Sequence, residues 1–110
     1  MKIRLTKADA EFSRLIRERD GWRCRRCHKQ YEPGDRGLHA AHIFSRRIKE
    51  LRWDERNCIS LCYRDHLFWA HSNPIEFAEW VKAELGIRTY NALLIIAATP
   101  KKARETRRRT

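Results

Sequence analysis

The stretch HAAHIFSR, residues 39–46, determines how the fold of this sequence is interpreted. Its alanine and isoleucine residues fit a half-buried β-strand, which we predict over LHAAHIF, residues 38–44. A strand does not explain the two histidines, His39 and His42. They are surface residues, metal ligands or catalytic groups, and the rest of the chain is needed to distinguish these possibilities.

The composition describes one small and strongly basic domain. The chain has 110 residues, of which 42% are hydrophobic, so we expect a modest core and exclude wholesale disorder. Lys and Arg number 25 against 14 Asp and Glu, which gives a net charge of +11. This charge predicts a polyanionic partner, nucleic acid before an anionic membrane surface. A basic surface that serves only solubility, or a ribosome-like protein, is the alternative.

The apolar segments are short. None approaches the roughly 20 residues that span a bilayer, and the longest, NALLIIAATP (91–100), has the length of a core helix. The N-terminus lacks the apolar centre of a secretory signal. We therefore expect a cytoplasmic protein without a membrane partner. In a reducing compartment, its four cysteines are better explained as metal ligands than as disulfides.

Periodicity and turn residues predict the elements around the strand. Residues 9–19 form an amphipathic helix with Asp9 as its N-cap, and the turn at Asp20-Gly21 ends it. Residues 45–54 form a loop with a candidate second strand. Three more helices are predicted, over residues 61–72, from Pro74 to Gly86, and over residues 88–97.

The end of the chain differs from the rest in composition. The segment KKARETRRRT (101–110) carries six basic residues, one acid and no apolar face. We therefore divide the chain into a folded domain over residues 1–98 and a flexible basic tail over residues 99–110.

The cysteines form two pairs, Cys24-x2-Cys27 and Cys58-x3-Cys62. Two pairs on tight loops complete a tetrahedron around Zn²⁺, and a structural zinc would stabilise so small a domain. The second spacing is not the usual one, and Asp65, three residues after Cys62, is an alternative to Cys58 as the fourth ligand. Buried free cysteines or a single disulfide are the other interpretations.

A resemblance to a known family extends over several segments: CRRC (24–27), AHIFSR (41–46), ERNCISLC (55–62), RDH (64–66) and FWAHSNPIEF (68–77). Over roughly residues 10–85, the chain resembles the HNH endonucleases, and its last segment is similar to phage-type members. The resemblance implies an α+β fold, a small ββα-metal core of two antiparallel strands and a helix. The resemblance further implies a structural zinc site and flanking N-terminal and C-terminal helices. It also implies a phage or prophage origin.

The same resemblance implies hydrolysis of phosphodiester bonds in DNA with one divalent ion, Mg²⁺ or Mn²⁺. His42 would be the general base that takes a proton from water, because a neutral imidazole can do so at physiological pH. Asn57 would hold the following loop and orient His42, or touch the metal. His66 would bind the divalent ion from the helix, and this ion would stabilise charge on the phosphorane and the leaving group.

Two positions depart from the family pattern. Most members have Asp or His directly before the catalytic histidine as a metal ligand, whereas this chain has Ala41. His39, on the same strand face, and His71, five residues after His66, are the candidate replacements. The other departure is Asp65, at the usual position of the fourth zinc cysteine.

Basic residues near the proposed site are expected to neutralise phosphates of double-stranded DNA. The principal candidates are Arg46, Arg47, Arg52 and Arg64. A single active site in a monomer or weak dimer would nick one strand at a time. The competing interpretations are a non-catalytic zinc-ribbon protein that binds nucleic acid, and an RNA-binding or ribosome-associated zinc protein. Neither accounts for His42, Asn57 and His66 together.

Overall fold

Two antiparallel strands are surrounded by helices in the computed structural model, which describes residues 4–99. The predicted α+β class is confirmed. In chain order the elements are α1 (Lys7–Arg19), β1 (Leu38–His42), a 3₁₀ turn (Glu55–Asn57), β2 (Cys58–Cys62), a π-helix (Arg64–Ala70), α2 (Pro74–Leu85) and α3 (Ile87–Ala98).

Helix α1 begins two residues earlier than predicted, and its N-cap is Thr6, not Asp9. The two residues form a capping box: the Thr6 hydroxyl accepts from the Asp9 N–H at 3.3 Å, and the Asp9 carboxylate accepts from the Thr6 N–H at 2.8 Å. The prediction chose the wrong member of the box because both residue types are good caps. The helix buries Phe12 and Ile16 against the sheet.

The sheet pairs β1 with β2, with Leu38 opposite Cys62 and His42 opposite Cys58. The second strand therefore lies at Cys58–Cys62 and not within residues 45–54, and the helix predicted from residue 61 begins only at Arg64. The segment CISLC is buried at every position, so it lacks the alternation that marks a half-buried strand. Such a short apolar run is compatible with either a strand or a helix.

Residues 45–54 form successive turns in place of a strand. The N–H groups of Ile48, Leu51 and Asp54 each donate to the carbonyl three residues earlier. Leu51 is fully buried and anchors this loop to the body of the protein. The loop thereby returns the chain from the end of β1 to the start of β2 with a fixed shape.

The two C-terminal helices follow the prediction closely. Pro74 occupies the first turn of α2, and Gly86, with φ of 84°, separates α2 from α3. Val81, Tyr90 and Leu93 are buried where these helices pack. The basic tail, from residue 100 onward, lies outside the described residues.

Across residues 4–99, none of the helices combines the length and the apolar character that crossing a membrane requires.

Candidate metal centre and histidine groove

Four side chains converge beside the C-terminal end of β2. Cys24 and Cys27 come from the loop after α1, Cys62 ends β2, and Asp65 lies in the first turn of the π-helix. One ligand atom from each lies within 4.8 Å of all the others. Three sulfurs and a carboxylate oxygen form a donor set that Zn²⁺ accepts. In the part of the chain that the structure describes, this is the one group of this kind that meets that distance.

The ligand side chains of this cluster contact one another directly. The Cys24 sulfur lies 3.3 Å from Oδ2 of Asp65, and the sulfurs of Cys27 and Cys62 are 3.8 Å apart. Arg26 forms an ion pair of 2.8 Å with Asp65, and its guanidinium stacks 3.7 Å above the Trp69 ring. Arg26 and Trp69 therefore fix the carboxylate from outside, as groups around metal ligands commonly do.

The pKa values of Cys24 and Asp65 are compatible with a bound cation. Burial raises the pKa of the Cys24 thiol to about 12, so a thiolate there requires a positive partner. Burial alone would also raise the pKa of Asp65, but hydrogen bonds from Cys24 and Arg26 bring it below the usual value. A bound divalent ion would supply the charge that deprotonates the sulfurs. The residues present therefore fit zinc.

Cys58 does not join this cluster. It is the first residue of β2 and Cys62 is the last, so at strand rise they lie about 13 Å apart. Cys58 packs against Phe12 and Ile16, and burial raises the pKa of its thiol to about 12. The assumption of a tight loop between the two cysteines was wrong, and the alternative ligand, Asp65, occupies the fourth position.

A second feature, which we call the histidine groove, lies between β1 and the π-helix. It is open, has a volume of about 540 Å³, and has no carboxylate among the described residues that line it. The groove is lined by Leu5, Ala40, His42, Ser45, Arg46, Arg47, His66, Leu67 and His71. The groove thus brings together the proposed base, one proposed ligand, one candidate ligand and two arginines.

His42 is held in this groove by a backbone group. Its Nε2 lies 2.8 Å from the carbonyl oxygen of Arg52. A carbonyl only accepts, so Nε2 donates and the lone pair of the neutral ring resides on Nδ1. Burial lowers the pKa of His42, which favours this neutral form.

Asn57 is fully buried and fixes the loop after β1. Its Oδ1 accepts from the Phe44 N–H at 2.9 Å, and its Nδ2 donates to the carbonyls of Phe44 and Leu51 at 3.0 Å. Its own carbonyl accepts from the Ile43 N–H. Since Leu51 precedes Arg52, Asn57 positions the carbonyl that holds His42. Of its two predicted roles, these contacts correspond to holding the loop.

Both candidate replacements for Ala41 lie next to His66. Ala41 itself is buried in the core. His39 places its Nδ1 3.0 Å from Nδ1 of His66, and the His71 ring centroid lies 5.0 Å from that of His66. Burial, followed by the positive charge that His39 and His71 can carry, lowers the pKa of His66 to about 4. His66 is therefore a neutral imidazole at physiological pH, the form that binds metals.

The predicted DNA-contacting arginines have different surroundings. Arg46 and Arg47 are exposed at the histidine groove, and Arg64 is exposed beside a separate groove next to the cysteine cluster. Arg52 instead donates to Asp9 at 2.8 Å, and the Asp9 carboxylate also accepts from Trp53. Its guanidinium is thus engaged within the protein. The group of Arg52 that contacts His42 is its carbonyl, which no sequence signal indicates.

The chain matches no protein-family model, and no curated protein or solved structure shows significant similarity to it.

Proposed function

We propose that this protein is a divalent-metal-dependent DNA endonuclease of the HNH type, which hydrolyses phosphodiester bonds with His42 as general base. One observation carries the proposal. His42, fixed through Nε2 and with no hydrogen bond at Nδ1 from residues 4–99, shares an open groove with His66, His71 and exposed arginines. The order of His42, Asn57 and His66 in the chain, which resembles the HNH endonucleases, supports the same assignment.

The proposed chemistry divides among these residues. A DNA phosphate would enter the histidine groove and interact with Arg46 and Arg47 at its rim. His42 Nδ1 would accept the proton of a water molecule that attacks phosphorus, and the Arg52 carbonyl would stabilise the imidazolium that forms. His66 would hold a divalent ion, which would supply stabilisation of the charge that develops on the phosphate and the leaving oxygen. Asn57 acts through the loop that it holds and does not touch the reacting atoms.

The cysteine cluster would have a separate, structural role. Zinc bound by Cys24, Cys27, Cys62 and Asp65 would tie the loop after α1 to the end of β2 and the start of the π-helix. His66 directly follows Asp65, so the metal site would also fix the histidine that faces the groove. A catalytically silent zinc-ribbon protein needs this cluster but has no use for the histidine groove.

Plasmid relaxation tests the proposal. Zinc-loaded protein is incubated with supercoiled plasmid and Mn²⁺, Mg²⁺ or Ni²⁺, and DNA binding is measured in parallel. We expect nicked circles before linear DNA, since one groove cuts one strand. His42→Ala should lower the nicking rate by 10²-fold or more while DNA binding persists.

His28→Asn is the matched control, because His28 is exposed, lies outside the groove and has a φ of 67°, which asparagine tolerates. It should nick DNA like the unmodified protein. Binding to DNA without relaxation under any of the three metals would reject the nuclease and favour the zinc-ribbon alternative. Direct conversion to linear DNA would reject single-strand nicking.

A further inference from the structure

A second concave surface, which we call the tyrosine groove, lies beside the cysteine cluster and has a volume of about 420 Å³. Besides three of the candidate zinc ligands, it is lined by two tyrosines and three cations: Tyr31, Tyr63, Arg26, Lys29 and Arg64. We propose that this groove binds one unpaired nucleotide of DNA, with the base stacked on Tyr63 and the adjacent phosphates at Lys29 and Arg64. That the partner is DNA rests on the proposed function, whereas the binding itself requires no cleavage.

Gly37 places both tyrosines at the groove. The Tyr63 N–H donates to the Gly37 carbonyl at 2.9 Å. A Cβ added at Gly37 would lie only 3.0 Å from Cε1 of Tyr31, so the Tyr31 ring packs directly on the glycine backbone. The Lys29 ammonium lies 5.1 Å from the centre of the Tyr31 ring, which therefore already holds a cation. Tyr63 is 49% exposed, and no cation or aromatic ring from residues 4–99 stacks on it.

The charges of the groove separate the place of a phosphate from that of a base. Lys29 and Arg64 are exposed, and neither forms an ion pair with a carboxylate of residues 4–99. Arg26 instead pairs with Asp65 at 2.8 Å. Zinc bound by three thiolates and a carboxylate would leave a net negative charge at the ligands. Phosphates are therefore expected at Lys29 and Arg64, and an uncharged base beside the metal ligands.

The start of the π-helix connects this groove to the histidine groove. Tyr63 and Arg64 line the tyrosine groove, and His66 and Leu67 line the histidine groove. On the same helix, Leu67 and Phe68 are 44% and 63% exposed. Exposed apolar side chains between cations are complementary to a single strand, which combines apolar base faces with a charged backbone. A strand that leaves the histidine groove along this helix would therefore reach Tyr63.

The size and the aromatic wall of the groove favour an unpaired nucleotide over a duplex. A volume of about 420 Å³ lies within the range of pockets that hold small ligands, roughly 300–1,000 Å³. An aromatic side chain stacks on a base only where a base face is exposed, and the neighbouring pairs of a duplex cover those faces. The groove therefore predicts tighter binding to DNA that carries a short single-stranded gap than to the same DNA fully paired.

Fluorescence anisotropy tests this preference without any cleavage. Zinc-loaded protein is titrated, with no Mg²⁺ or Mn²⁺ added, into an intact duplex, the same duplex with a gap of three unpaired nucleotides, and a version whose gap contains abasic sites. We expect the gapped DNA to bind at least about 5-fold more tightly than the intact duplex. The abasic gap keeps the phosphates and the flexibility but has no bases, so it should lose this advantage.

Substitutions then assign the contact. Tyr63→Ala should abolish the preference for gapped DNA, and Tyr63→Phe, which keeps the ring, should retain it. Arg64→Ala should weaken binding to gapped DNA and reduce the slope of log K against log salt by about one. Trp53→Ala is the matched control, because Trp53 is 51% exposed and lines neither groove. It should keep the preference, and zinc content and melting temperature verify that each variant is folded.

Three results would overturn the inference: equal affinity for gapped and intact DNA, a preference that survives in Tyr63→Ala, or an abasic gap bound as tightly as the normal gap. Failure of the nuclease proposal gives a different pattern. A preference that depends on Tyr63, without plasmid nicking under any metal, would reject the nuclease and retain the tyrosine groove. Nicking by a protein that binds gapped and intact DNA equally would reject the tyrosine groove and retain the nuclease.

Discussion

The carboxylate of Asp65 lies 3.3 Å from the sulfur of Cys24, although 41 residues separate them in the chain. This contact completes a cluster in which the pairs are Cys24-x2-Cys27 and Cys62-x2-Asp65. Both pairs therefore have the x2 spacing that is usual for zinc ligands, and the last ligand of the second pair is an oxygen donor. Because carboxylate is a weaker partner for zinc than thiolate in structural sites, the identity of residue 65 should tune zinc affinity.

Substitutions at Asp65 should change zinc affinity in opposite directions. Asp65→Cys restores a four-sulfur site and should bind zinc more tightly, whereas Asp65→Ala removes a ligand and should weaken binding by 10²-fold or more. Competition with a chromogenic chelator measures both. Asp65→Ala should also lower the melting temperature, because metal binding contributes to folding stability.

Cys58→Ala is the control for these variants. Cys58 is as buried as Cys24 but packs against Phe12 and Ile16. Its replacement should lower stability slightly through lost packing and leave one zinc per chain with unchanged affinity. Loss of zinc from Cys58→Ala would contradict the ligand set described above.

Asn57→Ala should destabilise the protein by about 2–3 kcal/mol, because it leaves three backbone groups of the loop without partners in a buried environment. Urea denaturation measures this loss. Asn73→Ala is the matched control, since Asn73 is exposed and its amide donates to the Trp69 carbonyl. The control should change stability by no more than about 0.5 kcal/mol. Equal effects of the two substitutions would show that the loop does not depend on Asn57.

The ends of α2 could be predicted from local signals, and the second strand could not. Pro74 and Gly86 mark the ends of α2 through their own backbone preferences, so their positions alone were sufficient. The strand Cys58–Cys62 is buried on both faces because α1 covers one side and other core residues cover the other. Its sequence therefore lacks alternation, and only its tertiary surroundings make it a strand.

The side chains of the candidate site could be proposed from the sequence. The backbone geometry that positions them could not. The family resemblance indicated His42 and His66, and residue type and spacing indicated the Asp65 alternative. The π-helical register that aligns His71 with His66 depends on hydrogen bonding that no residue in the segment specifies. Likewise, Arg52 was expected to bind DNA through its charge, but Asp9 engages that charge and its carbonyl holds His42.

Two arginines near the groove should respond differently to substitution. Arg46→Ala should weaken DNA binding and reduce the slope of log K against log salt by about one, because an exposed guanidinium is lost from the groove. Arg52→Ala should leave that slope unchanged and lower the melting temperature, because it removes the partner of Asp9. Fluorescence anisotropy across a salt series and thermal denaturation separate the two. A reduced salt slope in Arg52→Ala would mean that its guanidinium reaches DNA.

The pH dependence of cleavage should report the His42 environment. Burial lowers the pKa of His42 below its usual value of 6.5, so the ring stays neutral, and able to accept a proton, to lower pH than a free histidine. The acid limb of the single-turnover cleavage rate should therefore have its midpoint below pH 6.5, with the rate rising as pH increases through that midpoint. Acidification lowers the rate because protonation occupies Nδ1, the nitrogen that the Arg52 carbonyl leaves free. DNA binding measured over the same range shows whether the limb belongs to chemistry. A midpoint above pH 7 would contradict the assignment of a buried His42 as the base.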